Sequence, residues 1–379
     1  MRPALKPGLL PVWRDRDTLQ IGIDPRRAVA LTGMSEAAWV ISLLDGSRDR
    51  AQVIAAAGDR GIPEQVAERV LTLLAAGGAL DDFPAGLYRA LPRQERRLLA
   101  PELAASSLAH GDGDGGARTL ARRRAAHVRL HGGGRLGRCM ASLLATSGIG
   151  WVVSADAQQD GSAATPADPD LATADRNPDT APWPRRDAAT AELPAGPDPA
   201  TASAVSRAPT TDAGPASATR RTAARGRPAR LQAAGIRPDL VVLTGTPVPE
   251  LTSMLMRDRI PHLAVSASEA IGVVGPLVVP GQSACLRCLN LSRTDRDPAW
   301  PLILAQLTGR QADPPACDAA LVAAVAALAT TQALSFIDRP ARTGPVTNGT
   351  LELVLPAWQW RRRTWPPHRD CACARSSPG

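Results

Sequence analysis

The sequence predicts an α/β fold: a small α+β domain at the amino end, then a larger sheet domain entered through a glycine-rich turn and closed by a metal-bound carboxy-terminal tail. Three observations predict it. A G-x-G-x-x-G run, formed by Gly132, Gly134 and Gly137, stands between an apolar strand and the start of a helix. Two tight cysteine pairs, Cys285 with Cys288 and Cys371 with Cys373, punctuate the second half of the chain. Ahead of both, the hydrophobic period changes from that of strands to that of helices within one short stretch.

Residues 1–84 form that opening unit. Thr18 to Ile23 and Arg27 to Gly33 run apolar at strand length and are joined by Asp24-Pro25, so they read as a hairpin. Ser35 is placed to cap a helix carrying Trp39, Ile41 and Leu44, with Gly46 at its end. A shorter helix spans Asp49 to Ala57. A third starts at Pro63, sets Val66, Val70, Leu73 and Leu74 at helical spacing, and stops at Gly77-Gly78. The stretch from Gly78 to Phe83 suits a last strand.

This order resembles the PqqD-like winged-helix module that recognises leader peptides of ribosomally made peptides. The resemblance implies docking of a leader as an added strand on the hairpin edge, driven by backbone hydrogen bonds. Two other readings stand beside it: a plain docking domain for the rest of the chain, or a DNA-binding winged helix. Against DNA, the third helix window carries only Arg69 as a base, too little charge to neutralise phosphates.

Residues 85–125 read as a polar linker with some helix, and residues 158–229, rich in Ala, Thr, Pro, Asp and Ser, as a disordered insertion that cannot bury enough apolar surface to fold. Between them, Ala126 to Asp156 reads strand, glycine turn, helix, strand. The first glycine allows the tight turn, the second lets a phosphate approach the backbone, and the third lets the helix pack on the sheet. Asp156, at the end of the next strand, stands where a ribose hydroxyl is read. The alternative is a turn that packs strand on helix and binds nothing.

Beyond the insertion come a buried strand at Arg237 to Gly245, a helix, a strand opened by His262, and paired strands that lead to Cys285-x-x-Cys288. Paired thiolates from tight turns are zinc ligands, and a closed four-cysteine site is structural. His368 is a substitute ligand for the shorter Cys371-x-Cys373 pair. Free buried thiols are the other reading.

Over 126–157 and 230–375 this order resembles the ThiF/MoeB/HesA family, the ubiquitin-activating type of adenylyltransferase, whose domain is Rossmann-like with a zinc-bound tail. The resemblance implies ATP, Mg²⁺ and a small carrier or modifier protein as substrate, with Gly132, Gly134, Gly137 and Asp156 in the nucleotide site. It also implies a homodimer, and it sets Cys317 near the active site. Two departures bear on activity. Thr246 stands where the family places its Mg²⁺ aspartate, and the chain has one lysine, Lys6, far from the turn. Loss of a metal carboxylate and a phosphate cation removes the charges that stabilise phosphoryl transfer. Arg135 or Arg138 replaces lysine only in part.

The charge of +8 rests on scattered arginines, so neither nucleic acid nor a membrane surface is the expected partner. The first residues lack the apolar core of a signal peptide, no run of 18 apolar residues reads as a membrane span, and six cysteines are too few for a disulfide scaffold. A cytoplasmic protein is expected. Winged-helix-like and activating-enzyme-like domains together resemble the partner proteins of azole-forming cyclodehydratases, which present a precursor peptide to another enzyme. A binding scaffold of that kind is the first functional reading, an active adenylyltransferase the second, a DNA-binding regulator the third. No catalytic residue is assigned.

Overall fold

The computed structural model describes residues 1–82, 91–154, 236–307, 316–339 and 344–375. Asp156 and the 158–229 segment lie outside these residues.

The amino-terminal part holds β1 (Pro3–Leu5), β2 (Pro11–Trp13), β3 (Thr18–Ile21), β4 (Val29–Thr32), α1 (Ala37–Ser42), α2 (Arg50–Gly58), α3 (Glu64–Ala76) and β5 (Leu80–Asp82). The expected hairpin is β3 with β4, antiparallel in the register Leu19 opposite Leu31. Strand β2 extends it to the order β2-β3-β4, while β1 pairs with β5. The side chains of Leu19, Ile21, Leu31, Val40, Val70, Leu71 and Leu74 close a core of their own between sheet and helices. Each fully buried aliphatic side chain contributes about 1.5–3 kcal/mol relative to exposure. The arrangement is winged-helix-like.

Local chemistry accounts for the helix limits. The Asp49 side chain accepts from the Gln52 N–H while the Gln52 side chain accepts from the Asp49 N–H, a reciprocal cap. Ser35 does not cap α1: the Ala37 N–H bonds to the Met34 carbonyl, so a turn precedes the helix and Glu36 becomes its first flanking residue without a side-chain bond. The helix also ends before Gly46. The N–H groups of Leu43 and Leu44 bond to Val40 and Ile41, tightening the last turn to 3₁₀ form.

Much of the 85–125 stretch is helical: α4 (Arg93–His110) and α5 (Ala117–Ala125) bury Leu99, Leu103 and Leu120 together. The larger sheet then runs through β6 (His127–His131), β7 (Trp151–Ser154), β8 (Leu240–Thr244), β9 (His262–Ser268), β10 (Ile271–Val278), β11 (Gly349–Val354) and β12 (Gln359–Thr364). Its order is β12-β11-β10-β9-β8-β6-β7. The β7-β6-β8-β9 half is parallel and the β9-β10-β11-β12 half antiparallel.

Both faces of this sheet are covered, which is why β8 reads as an unbroken apolar run. Leu240 and Val242 pack with α6 (Gly134–Thr146) and α10 (Ala319–Asp338). Val241 and Leu243 pack on the opposite face with Leu255 of α7 (Pro249–Arg257) and Leu286 of α8 (Leu286–Thr294). A further helix, α9, spans Trp300–Leu307.

One sequence expectation needs correction. Helix α10 is long and apolar enough to cross a membrane by length and composition. Here it is the central core helix, with Leu321, Val325, Ala326, Ala329 and Ala333 fully buried against the sheet. Its apolarity is the signature of a helix packed on more than one side.

Candidate functional site

The chain leaves β6 through Gly132, at φ +91°, and Gly134, at φ +70°, before α6 begins. The three motif glycines have different physical reasons. A Cβ on Gly132 would run into the backbone and hydroxyl oxygens of Thr244, and a Cβ on Gly137 would stand 2.6 Å from the Gly132 carbonyl oxygen. A Cβ on Gly134 would meet nothing within 4 Å, so that residue answers to its left-handed backbone and leaves the turn open above it. Thr244 at the end of β8 pins the turn by donating to the carbonyls of His131, at 3.1 Å, and Gly132, at 2.5 Å. Met140 and Leu144 bury the inner face of α6, and Leu143 is half-buried.

Among the described residues, neither Thr246 nor Lys6 places a charge at this turn. Thr246 is exposed and offers a hydroxyl, not a carboxylate. Lys6 is buried in the amino-terminal part, where its Nζ donates to the Ser107 carbonyl at 2.8 Å and stands 3.3 Å from Asp81. It cannot serve a phosphate. Arg135, exposed on the first turn of α6, donates to the Cys317 carbonyl at 3.3 Å, and Arg138 is exposed. Cys317 is therefore beside the turn and half-buried, just ahead of Asp318, which caps α10 by accepting from the Leu321 N–H. Cys139 is half-buried against the core.

The two thiol pairs meet. Cys285 immediately precedes α8 and Cys288 lies in its first turn, so three-residue helical spacing brings their sulfurs to 3.8 Å. Cys371 lies 3.6 Å from Cys285, and Cys373 lies 3.2 Å from Cys288. All four sulfurs fall within 4.8 Å of one another, and Cys285, Cys288 and Cys371 are buried. A tetrahedron of sulfurs around zinc, at Zn–S of about 2.3 Å, has edges of about 3.8 Å. The donor set and spacing fit that ion. The shorter second pair reaches the site because a 3₁₀ turn at Ala372–Arg375 draws its sulfurs together.

Without a cation the site resists ionisation of two of its four thiols. Burial pushes the Cys285 thiol up to about 11, aided by the neighbouring thiolates of Cys288 and Cys371, and burial likewise pushes Cys373 upward. Burial opposes ionisation of Cys288 as well, but bonds from the His368 N–H and neighbouring thiols outweigh it and bring Cys288 down. Four clustered thiolates, three of them buried, are stable together only around a cation.

His368 is not a substitute ligand. Its Nε2–H donates to the Asp295 carboxylate at 2.8 Å, and its Nδ1 accepts from the Asp370 N–H at 3.2 Å. The ring buttresses the knot from outside. Of the tail tryptophans, only Trp365 is pinned to the sheet: it is buried and donates from Nε1 to Thr350 Oγ1 at 3.0 Å. Trp358 and Trp360 are exposed, because β12 is the sheet's outer edge. In the charged segment after Cys288, Asp295 pairs with His368 while the arginines lie over aromatic rings. Arg293 stacks 4.6 Å over Trp300, and Arg296 lies 5.3 Å over Trp365.

One feature was not legible as a site in the sequence: His262, without any motif around it, is fully buried at the start of β9 and lines a cavity with Arg259 and Arg287. The hairpin edge singled out in the sequence is strand β4, which ends the three-stranded sheet among the described residues and exposes Ala30 and Thr32.

Fold and site together define an α/β protein with a small winged-helix-like front part and a cluster of four cysteines. Solved structures of the same fold include Escherichia coli MccB with AMPCPP and MccA, at TM-score 0.55 and 13% identity, matching 99% of each chain. Another is the heterocyclase TruD, at TM-score 0.58 and 14% identity, and a third is a heterocyclase in complex with substrate and cofactor, at 0.59 and 16%. The chain covers 43% and 39% of those two heterocyclases, and 98% or more of its own length is matched in each. No family model matches the sequence, and no curated protein matches it.

Proposed function

We propose that this protein is a peptide-binding scaffold in ribosomal-peptide modification, one that holds a precursor's leader and presents it to a cyclodehydratase-type enzyme without adenylating anything itself. One observation carries the reading: the phosphate-type turn is intact as backbone but lacks its chemistry, since the only lysine is buried against Asp81 and Thr246 replaces a metal-binding acid. A sheet domain of this type kept without reactive charges serves as framework. The zinc is structural: Cys285, Cys288, Cys371 and Cys373 would hold it, and it would fasten the carboxy-terminal tail to α8. A reducing compartment such as the cytoplasm keeps these thiols available for metal.

The leader would add to β4. Its free edge supplies unpaired backbone groups, and α3 packs beside it. The heterocyclases and MccB share the fold over nearly all of this chain, and several of those structures hold a substrate or MccA. Fluorescence anisotropy with labelled leader peptides from precursors encoded beside this gene tests the reading. Saturable binding that is lost in Ala30→Pro and Thr32→Pro, with the fold retained, is the expected result. Equal binding by the proline variants places the leader elsewhere.

A second reading is an active adenylyltransferase, with a small carrier or modifier protein as substrate. The glycine geometry favours it, because Gly134 leaves the turn open. Magnesium has no carboxylate partner at Thr246, so this reading needs an acid from another position.

A further inference from the structure

A cavity of about 350 Å³ lies between α7, the segment leading to Cys285, and the cysteine knot. That size is at the lower end of small-molecule sites, which start at about 300 Å³. It is separate from the glycine turn. In the β8–β9 register Val241 pairs with His262 at one end and Thr244 pairs with Val265 at the other. The turn is pinned by Thr244, and the cavity is lined by His262, so the two open at opposite ends of the strands.

His262 is fully buried, and its Nδ1–H donates to the Ile260 carbonyl at 3.0 Å. That bond fixes the tautomer and leaves Nε2 as a lone-pair acceptor, and Nε2 has no partner. Burial holds the imidazole below its ordinary range, against the small opposing effect of the Ile260 bond, so at neutral pH the ring is uncharged. A buried acceptor of this kind needs a donor. Three arginines also line the cavity. Arg257 is engaged by Asp258 at 3.2 Å, whereas the exposed Arg259 and Arg287 have no side-chain partner among the described residues. Met256 and Leu286 supply apolar wall.

These groups call for one ligand that is anionic at one end, donates a hydrogen bond at the other, and is apolar between. We infer that the cavity binds the carboxy-terminal end of a peptide, with the carboxylate on Arg259 and Arg287 and a backbone N–H on His262 Nε2. Guanidinium forks match a planar carboxylate. Inorganic phosphate would satisfy the arginines and can donate its P–OH to the imidazole, but it has no apolar body to fill the wall of Met256 and Leu286. With zinc bound, four thiolates on a dication leave the knot side net negative, which also favours N–H donors at that end. The inference does not depend on the leader docking at β4, and either can fail while the other stands.

Isothermal titration calorimetry of the zinc-loaded full chain tests it with N-acetyl-Leu-Ala as the free acid, as its carboxy-terminal amide, and with inorganic phosphate. The acid is expected to saturate the protein, with the amide and phosphate each roughly tenfold weaker or worse. Arg259→Gln with Arg287→Gln should weaken the acid by roughly tenfold while zinc content stays unchanged. In ¹⁵N NMR the His262 Nε2 signal should shift on adding the acid, a readout that needs no substitution at a buried residue. Equal binding of acid and amide, phosphate binding as tight as the acid, or no saturation by about 10 mM acid overturns the assignment.

Discussion

The guanidinium of Arg123 forks onto the carboxylate of Asp338, with Nε and Nη2 at 2.9 and 2.8 Å from its two oxygens, and both side chains are buried. Arg122 adds a bond to the Asp338 carbonyl at 2.7 Å, and Arg123 Nη1 reaches the Ser147 carbonyl at 3.0 Å. The pair ties α5 to the end of the core helix α10. Helices that the polar composition suggested were mere connection are thereby part of the sheet domain's framework.

Asp338→Ala should leave the buried Arg123 charge with only the partly exposed Glu102 carboxylate, 3.2 Å away, costing about 3 kcal/mol. Urea denaturation followed by circular dichroism measures it. The exposed Asp24–Arg26 pair is the control, and Asp24→Ala should leave the midpoint unchanged. Equal effects at the two sites would mean the buried fork contributes no more than a surface pair.

Gly132 and Gly134 should differ sharply when replaced by alanine. Gly134→Ala meets open space and suffers only its positive φ, a loss of about 1 kcal/mol. Gly132→Ala also drives a methyl into Thr244, so its unfolding free energy should fall further, with less soluble protein. Thermal melts of the two variants side by side check the order, and a reversal would mean Thr244 does not hold the turn.

Metal should set the pH dependence at the alkaline end. In the metal-free protein the Cys285 thiol rises from an ordinary 9.0 to about 11, so the folded state retains a proton that the unfolded state releases. The sign follows: this contribution is present below pH 9.0 and is lost as pH rises through about 11. Melting temperature of chelator-stripped protein should drop over that window, while zinc-loaded protein, whose thiolates are already ionised, should not follow it. Acid has the opposite selectivity and should release zinc as the thiols protonate. Cys288→Ser should lower zinc content from about one ion per chain and destabilise the tail; parallel melting curves for the two forms would sink the metal assignment.

The sequence reading reached the sheet domain because its signals are local. A glycine turn needs only a few residues to state its geometry, and an apolar run such as Leu240 to Thr244 declares a strand covered on both faces. The four sulfurs could be paired in advance because thiol chemistry leaves few alternatives. Long-range relationships were less accessible. Neither the β1–β5 pairing nor the Lys6–Asp81 contact has a local signature, since each joins residues distant in sequence. His368 read as a ligand because its neighbours are cysteines, but its ring is occupied by Asp295 and Asp370. His262 stood out only as the opening residue of a strand, because an unpartnered nitrogen is visible only once the surrounding cavity exists.

ATP–pyrophosphate exchange by the zinc-loaded protein, with Mg²⁺ and a leader-bearing precursor peptide present, tests the central claim most directly. Exchange at the level of a no-enzyme control, from protein that binds the same peptide, is the predicted result. Steady exchange that scales with enzyme concentration would contradict it, and would require an acid and a phosphate cation other than Thr246 and Lys6.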